Sequence, residues 1–262
     1  MAGWLSTPPD PIFLHLGNVN IRWYGVILAV ALLLGVFLAQ HLAKRAGLKP
    51  EKIIDLALIA TLAAVVGARI VHVLDEWGYY QLHLGESLQF WRGGLAFHGV
   101  LLGGLLALWF FSRRQKIHPL LLLDITFPAL ALGQVIGRWG NWVNQELYGR
   151  PTTLPWAIGI APENRVAGYE SFTTFHPLFL YESVGNLIIL IFLLLLWRWG
   201  RRRIGDVAAV YLILSPLLRF GLDYLRLNQP MVGSITNAQV FSLLLAAAGL
   251  ALIFTRRRRP VQ

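Results

Sequence analysis

Arg138 lies in a sequence context that suits the binding of an anion. Residues 137–141 are Gly-Arg-Trp-Gly-Asn, so glycines stand on both sides of this arginine. Glycines allow a backbone or a ligand to come close, and a guanidinium can bind two phosphate oxygens at once. It can also neutralise the charge that develops on a phosphate leaving group. We therefore predict that Arg138 binds a phosphate, with a purely structural arginine as the alternative.

Three further charged residues, Arg219, Asp223 and Arg226, are spaced by four and by three positions. On a helix this spacing places them on one face, where Arg219 can pair with Asp223. Such a pair can contribute to a ligand site, or it can be a buried ion pair that only stabilises a helix bundle. The sequence leaves both possibilities open.

His98 is a candidate for proton transfer. It is the histidine most embedded in apolar sequence, and Gly94 and Gly99 leave space beside it. A histidine with an ordinary pKa near 6.5 can accept a proton from a thiol or a hydroxyl, although a lone histidine is also a common core residue. Metal binding is less attractive, because His72, His98 and His176 lie on different segments without metal-ligand spacing. We expect no metal.

The segments that carry these residues are apolar enough to cross a membrane. The 262 residues are 56% hydrophobic and 14% charged, whereas soluble domains are about a quarter charged. A helix needs about 20 apolar residues to cross hydrocarbon. We predict an all-α membrane protein of a single domain, 1–262, with seven spans. The spans are residues 23–40, 53–74, 99–112, 119–137, 183–197, 207–225 and 231–255.

The basic residues predict how the chain is oriented. Of the 23 Lys and Arg, 15 fall in four clusters that follow the first, third, fifth and seventh spans. Positive loops face the cytoplasm, so we place the N-terminus outside, the C-terminus inside and residues 141–176 in a small outward cap. This clustering argues against a nucleic-acid partner despite the net charge of +10. The clusters are Lys44, Arg45, Lys49 and Lys52; Arg113, Arg114 and Lys116; Arg198 and Arg201–Arg203; and Arg256–Arg259.

Once each span has a direction, its polar residues gather on the outer side. The outer ends carry Tyr24, Arg69, His72, His98, Arg138, His176, Tyr181, Glu182, Arg219, Asp223 and Arg226. Residues at one depth suit a pocket that opens toward the outer leaflet. The chain has no cysteine, so any thiol in its chemistry must belong to a substrate.

The pattern around Arg138 resembles the signature of a known enzyme family. It consists of Gly137, Arg138, Gly140, Asn141, Asn144, Glu146, Gly149 and Arg150. This pattern is similar to that of the prolipoprotein diacylglyceryl transferases. The resemblance continues in family order with Trp23-Tyr24-Gly25, Gly93-Gly94, Phe97-His98-Gly99, His176-Pro177, Tyr181-Glu182 and Arg219. It covers all seven predicted spans.

The resemblance implies a transferase of the bacterial inner (cytoplasmic) membrane that acts in lipoprotein biosynthesis. Its partners would be phosphatidylglycerol, a lipobox-containing prolipoprotein and membrane lipid, with no cofactor. The diacylglyceryl group of phosphatidylglycerol would pass to the lipobox cysteine thiol, which forms a thioether and releases glycerol phosphate. This would be the first step of lipoprotein maturation, with the active site toward the outer leaflet.

The resemblance also assigns roles to residues. Arg138 and Arg219 would bind the phosphate of phosphatidylglycerol, His98 would handle the proton, and Tyr24 and Asn141 would orient the lipid headgroup. Gly149 falls on a functional position, while Glu146 and Tyr181 are secondary candidates for lipid binding. For Tyr24 and Tyr181, anchoring at the membrane interface is an equal alternative.

Three positions depart from the family pattern. Ser215 stands where many members carry a tyrosine, so a phenolic role at this position is not inherited. Val100 and Asp223 replace a common glycine and a common glutamate, and both changes are conservative.

A transporter or channel for an anionic lipid or solute is the alternative function, because intramembrane arginines serve both classes. Transporters commonly place their charges near the midplane, in interrupted helices and internal repeats. This sequence places them on the outer side and shows no repeat, which favours the transferase.

Overall fold

The computed structural model describes residues 8–17, 19–198, 203–227, 231–232 and 235–257. Within them, seven long helices and one short helix account for most residues, which confirms the all-α class. The helices are α1 (Trp23–Arg45), α2 (Glu51–Asp75), α3 (Trp77–Tyr80), α4 (Phe97–Gln115), α5 (Pro119–Val143), α6 (Leu178–Arg198), α7 (Asp206–Asp223) and α8 (Asn237–Arg257). Arg201, Arg202, Arg258 and Arg259 of the basic clusters lie outside the described residues.

The described residues form three two-stranded antiparallel sheets, one before α1 and two between later helices. They pair β1 (Ile12–Leu16) with β2 (Val19–Arg22), β3 (Ile158–Gly159) with β4 (Thr174–Phe175), and β5 (Met231–Val232) with β6 (Ile235–Thr236). The last pair explains why α8 begins later than the predicted span 231–255. Residues 231–232 and 235–236 form strand hydrogen bonds there instead of helical ones.

Five helices, α1, α2, α5, α6 and α8, are long and apolar enough to cross a membrane. The chain is thus a multi-pass membrane protein by the length and composition of its helices. The two remaining predicted spans coincide with α4 and α7, which have 19 and 18 residues. The count of seven spans stays a prediction.

Two helices differ from the predicted spans in ways that affect the polar residues. α5 runs to Val143 rather than to residue 137, so Arg138 and Asn141 project from its last turns. α7 ends at Asp223, so Arg226 lies beyond the helix. The prediction that Arg219, Asp223 and Arg226 share one helix face is therefore wrong for Arg226, because the helix ends before this residue.

The chain divides into two compact units, Met1–Leu38 with Thr126–Gln262, and Ala39–Ile125. In the first unit α7 packs on both α6 and α8. The segment between α5 and α6, predicted as a cap, contributes most of a hydrophobic cluster that also includes Phe179 of α6 and Leu227. The buried members of this cluster are Tyr148, Ile158, Ile160, Phe175, Phe179 and Leu227. The prediction of a single membrane domain stays a prediction.

In the second unit α2 and α4 pack along each other through glycines. A Cβ atom added to Gly103 would lie 2.6 Å from the carbonyl carbon of Ala63 and 3.0 Å from the nitrogen of Ala64. Gly104, the next residue, has nothing within 4 Å of such an atom. Small residues allow helix backbones to approach this closely in membranes.

The paired variants Gly103→Ala and Gly104→Ala test this contact. Alanine favours a helix over glycine by about 1 kcal/mol, so Gly104→Ala should keep or raise the unfolding midpoint in detergent. Gly103→Ala should lower the free energy of unfolding by about 1–3 kcal/mol, because backbone atoms of α2 must move. Equal midpoints for the two variants would contradict the close packing of α2 and α4.

Candidate active site

One buried acid holds two arginines in the first unit. Glu182 lies near the start of α6, and only 5% of its side chain is exposed. Its Oε2 atom lies 2.5 Å from Nη2 of Arg138, and its Oε1 atom accepts a hydrogen bond of 2.6 Å from Nη2 of Arg226. Both carboxylate oxygens are thus occupied by guanidinium groups from different parts of the chain.

Arg138 also reaches a second acid through Asn141. Its Nη1 donates to Oδ1 of Asn141 at 3.2 Å, and Nδ2 of Asn141 donates to Oε1 of Glu146 at 2.7 Å. Gln145 and Leu147, which flank Glu146, both have the left-handed backbone that non-glycine residues rarely adopt. This turn brings the Glu146 side chain back to the end of α5.

Tyr24, in the first turn of α1, packs directly against α5. A Cβ atom on Gly140 would lie 2.6 Å from Cδ2 of the Tyr24 ring, so the glycine makes room for the phenol. Tyr24 lies within electrostatic range of both Arg138 and Glu146. The structure therefore brings Tyr24, Arg138, Asn141 and Glu146 together.

The second predicted phosphate ligand, Arg219, forms its expected pair. Its Nη1 lies 2.8 Å from Oδ1 of Asp223, and the two meet as an ion pair without the alignment of a hydrogen bond. Asp223 also accepts a hydrogen bond from the hydroxyl of Thr236, just before α8. Arg219 lies within electrostatic range of Arg138, Glu182 and Arg226, so its ion pair and the two pairs at Glu182 belong to one charged cluster.

Two arginines of the cluster are partly exposed, whereas its acids are buried. About a quarter of the Arg138 and Arg219 side chains is exposed, at 25% and 26%, whereas Glu182 and Asp223 are at 5% and 0%. Each exposed arginine is thus fixed by a buried carboxylate. Guanidinium groups arranged in this way can still donate hydrogen bonds to the oxygens of an incoming anion.

Gly149 lies where three chain segments meet. Its N–H donates to the carbonyl of His176 at 2.9 Å, and the N–H of Arg150 donates to the carbonyl of Leu225 at 2.8 Å. A Cβ atom on Gly149 would lie 2.8 Å from Cβ of His176. The glycine therefore lets the strand-like pairing with Arg226 form, which is a backbone role. Direct contact of Gly149 with a ligand stays a prediction.

Tyr181 is held by the segment between α5 and α6. Its hydroxyl accepts a hydrogen bond of 2.7 Å from the indole N–H of Trp156 and lies 3.2 Å from Nδ1 of His176. Because the hydroxyl already accepts from the indole, its own hydrogen can be donated to His176 when Nδ1 is unprotonated. These contacts do not join Tyr181 to Arg138, and its lipid-binding role stays a prediction.

In the second unit, Arg69 is committed to the loop that precedes α4. Its guanidinium donates to the carbonyls of Glu86, Ser87, Gly93 and Gly94 at 2.6–3.1 Å, and it lies over the ring of Tyr80. The sequence placed Arg69 among the residues of an outer pocket. The structure instead gives it a structural role, since carbonyl acceptors use most of its donors.

His98 is the second residue of α4 and is exposed. It lies in the first turn of the helix, and the apolar character that distinguished it among the histidines is that of its neighbours along the chain. His98 belongs to the second unit. Its participation in the site stays a prediction.

Comparison with known proteins identifies the family. The family model described as prolipoprotein diacylglyceryl transferase matches residues 11–255. A phosphatidylglycerol–prolipoprotein diacylglyceryl transferase of Acaryochloris marina is 42% identical over 256 residues, which cover 96% of this chain and 93% of that protein. Proteins of the same name from Trichormus variabilis and Gloeobacter violaceus are each 40% identical, over 97% of this chain and 93% and 96% of theirs. The chain belongs to the prolipoprotein diacylglyceryl transferase family.

For this family member, sequence reasoning did not assign roles to two residues of the charged cluster. Glu182 was noted beside Tyr181 and Arg226 beside Arg219 and Asp223, neither with a role of its own, yet Glu182 contacts both Arg138 and Arg226. The available signal was an excess of arginine on that side, because charges in an apolar bundle need partners. No comparable sequence signal pointed to Thr236, whose hydroxyl donates a hydrogen bond to Asp223.

His176 allows a pH test of the segment between α5 and α6. Burial lowers the pKa of His176 below its ordinary value of 6.5. As the pH falls through the window between 6.5 and the lowered value, the unfolded chain takes up a proton that the folded protein does not. The folded state should therefore lose stability in that window and level off below it.

The measurement is the unfolding midpoint of the wild type and of His176→Gln between about pH 5 and pH 8. The variant should show a smaller loss of stability on acidification. Parallel curves for the two proteins would contradict the lowered pKa.

Proposed function

We propose that this chain transfers the diacylglyceryl group of phosphatidylglycerol to the lipobox cysteine thiol of a prolipoprotein. A sulfur–carbon bond forms as the carbon–oxygen bond to the phosphate breaks, and the thiol loses its proton. The phosphate oxygen keeps the electron pair, so glycerol phosphate leaves. The observation that carries the proposal is the pair of quarter-exposed arginines, Arg138 and Arg219, each fixed by a buried acid in a member of this transferase family.

The arginines suit this reaction because the leaving phosphate gains negative charge as the bond breaks. Donors that are already in place stabilise this charge more in the transition state than in the substrate. Arg138 and Arg219 would bind the phosphate oxygens, while Asn141 and Tyr24 would orient the glycerol headgroup. Glu146 fixes Asn141 through its hydrogen bond. We assign the proton of the attacking thiol to His98, a residue type that can act as a general base near neutral pH.

The membrane setting belongs to the same proposal. Seven spans, with the N-terminus outside and residues 141–176 as an outward cap, would place the arginine cluster toward the outer leaflet of the bacterial inner membrane. The basic clusters after α1, α4 and α6 support this orientation. A lipid donor would then enter laterally, and a secreted prolipoprotein would present its cysteine at the same surface. Solute or lipid flux without a thioether product would instead indicate the transporter alternative.

The first prediction concerns Arg138→Ala, assayed with phosphatidylglycerol, a lipobox peptide and detection of the thioether by mass spectrometry. Loss of a donor that stabilises developing charge should lower kcat by at least about 10²-fold. Arg113→Ala, which removes an exposed arginine at the end of α4, is the control and should keep normal turnover. Near-normal activity of Arg138→Ala would exclude the phosphate role.

The second prediction concerns His98→Gln. If His98 accepts the thiol proton, the variant should lose about 10²-fold or more in rate near neutral pH. The wild-type rate should fall on acidification as the base becomes protonated, and the variant should lack this acidic limb. The control is His118→Gln, which changes the residue just before α5 and should keep the wild-type profile. An unchanged profile in His98→Gln would remove His98 from proton transfer.

A further inference from the structure

Arg138 and Arg226 share a single buried carboxylate, and this sharing has consequences for the affinity of the site. We propose that Glu182 and Arg226 are positioning residues. Glu182 fixes the direction of the Arg138 guanidinium, and Arg226 controls how much of the Glu182 charge Arg138 must compensate. The inference rests on the proposed function and adds a means of tuning the site for an anionic headgroup.

The geometry supports a shared acid rather than one pair with a distant neighbour. The two contacts to Glu182 are nearly equal, 2.5 Å to Arg138 and 2.6 Å to Arg226, and each uses a different carboxylate oxygen. The carboxylate therefore cannot turn toward one guanidinium without losing the other. Asn141 fixes Arg138 at a second nitrogen, so the orientation of its guanidinium is determined from two sides.

Arg226 is poorly placed to bind the lipid itself. Only 9% of its side chain is exposed, compared with 25% for Arg138. Its Nε atom is buried without a hydrogen-bond partner in the part of the chain that the structure describes. Its backbone is also paired with Gly149. The charge of Arg226 therefore acts through Glu182 and not through contact with a substrate.

Charge balance gives the two residues opposite effects on anion binding. Arg138, Arg226 and Glu182 together carry a net charge of +1. Without the charge of Arg226, the Glu182 carboxylate would be balanced by Arg138 alone, and the attraction for an anion would fall. Without the charge of Glu182, the attraction would rise, but Arg138 would lose the acceptor that orients it. At these separations in a partly buried site, one unit of charge is enough to change affinity on the order of tenfold.

The test compares Arg226→Gln, Arg226→Lys, Glu182→Gln and the double variant Glu182→Gln/Arg226→Gln. Two readouts are needed. The first is kcat and KM for phosphatidylglycerol in the thioether assay. The second is binding of phosphatidylglycerol relative to phosphatidylcholine of the same acyl chains, measured by native mass spectrometry. Arg198→Gln removes an exposed arginine at the far end of the same helix, α6, and is the control for charge.

Arg226→Gln should raise KM and weaken phosphatidylglycerol binding on the order of tenfold, with kcat within about threefold of wild type. Arg226→Lys should restore most of the affinity, because it keeps the charge. Glu182→Gln should lower kcat on the order of tenfold without weakening binding. The double variant should depart from the product of the two single effects, since the residues are in contact. Arg198→Gln should resemble the wild type.

Unchanged lipid binding in Arg226→Gln, or equal losses in the glutamine and lysine variants, would overturn the inference. A loss of phosphatidylglycerol binding in Glu182→Gln would also overturn it. So would a double variant whose effect equals the product of the two single effects. If Glu182→Gln does not fold, the comparison of Arg226→Gln with Arg226→Lys decides whether the inference holds. The binding readout needs no turnover, so a wild-type protein that forms no thioether would contradict the proposed function and leave this test intact.

Discussion

The pairing of charges inside an apolar helix bundle is the constraint on which the site depends. An unpaired charge is costly away from water, and removing one partner of a buried pair is strongly destabilising. Arg138, Arg219 and Arg226 would repel one another if no acid lay between them. Glu182 and Asp223 are the acids that offset this repulsion, and both are buried. Because Arg138 comes from α5 and Arg226 from the segment after α7, their shared contact with Glu182 also joins these two elements to α6.

The backbone around the cluster departs from ordinary local rules in order to allow these contacts. Gly140 makes room for Tyr24, and Gly149 lets three segments cross at distances that a side chain would prevent. Gln145 and Leu147 adopt left-handed conformations on either side of Glu146, at a cost of order 1–3 kcal/mol each. Proteins commonly accept such local costs where function requires a particular side-chain direction. Here the direction obtained is that of Glu146 toward Asn141.

What the sequence predicted correctly was mostly local in origin. Apolar length indicated the helices, and the spacing of four residues indicated the pair of Arg219 with Asp223. The partner of Arg226 could not be predicted in this way, because the choice depends on where α7 ends and on how the following segment packs near α6. The β5–β6 pairing just before α8 was missed for a related reason, since its short strands lie in a stretch with no strong alternation.

Arg69 and Arg138 show why sequence alone does not separate a structural arginine from a functional one. Both stand near the end of an apolar helix beside small residues, and both were assigned to the same predicted pocket. The difference lies in how their donors are used. A guanidinium has five N–H donors, and Arg69 makes four hydrogen bonds to backbone carbonyls. Such acceptors hold a loop and offer little to a ligand.

Arg138 is held instead by one carboxylate and one amide, with a quarter of its side chain exposed. These two contacts leave donors that an anion can use. The identity of the acceptors, which depends on tertiary contacts, therefore decides which arginine can bind a phosphate. For the same reason Glu182, which holds Arg138, matters as much to the site as Arg138 itself. So does Arg226, which shares Glu182 with Arg138.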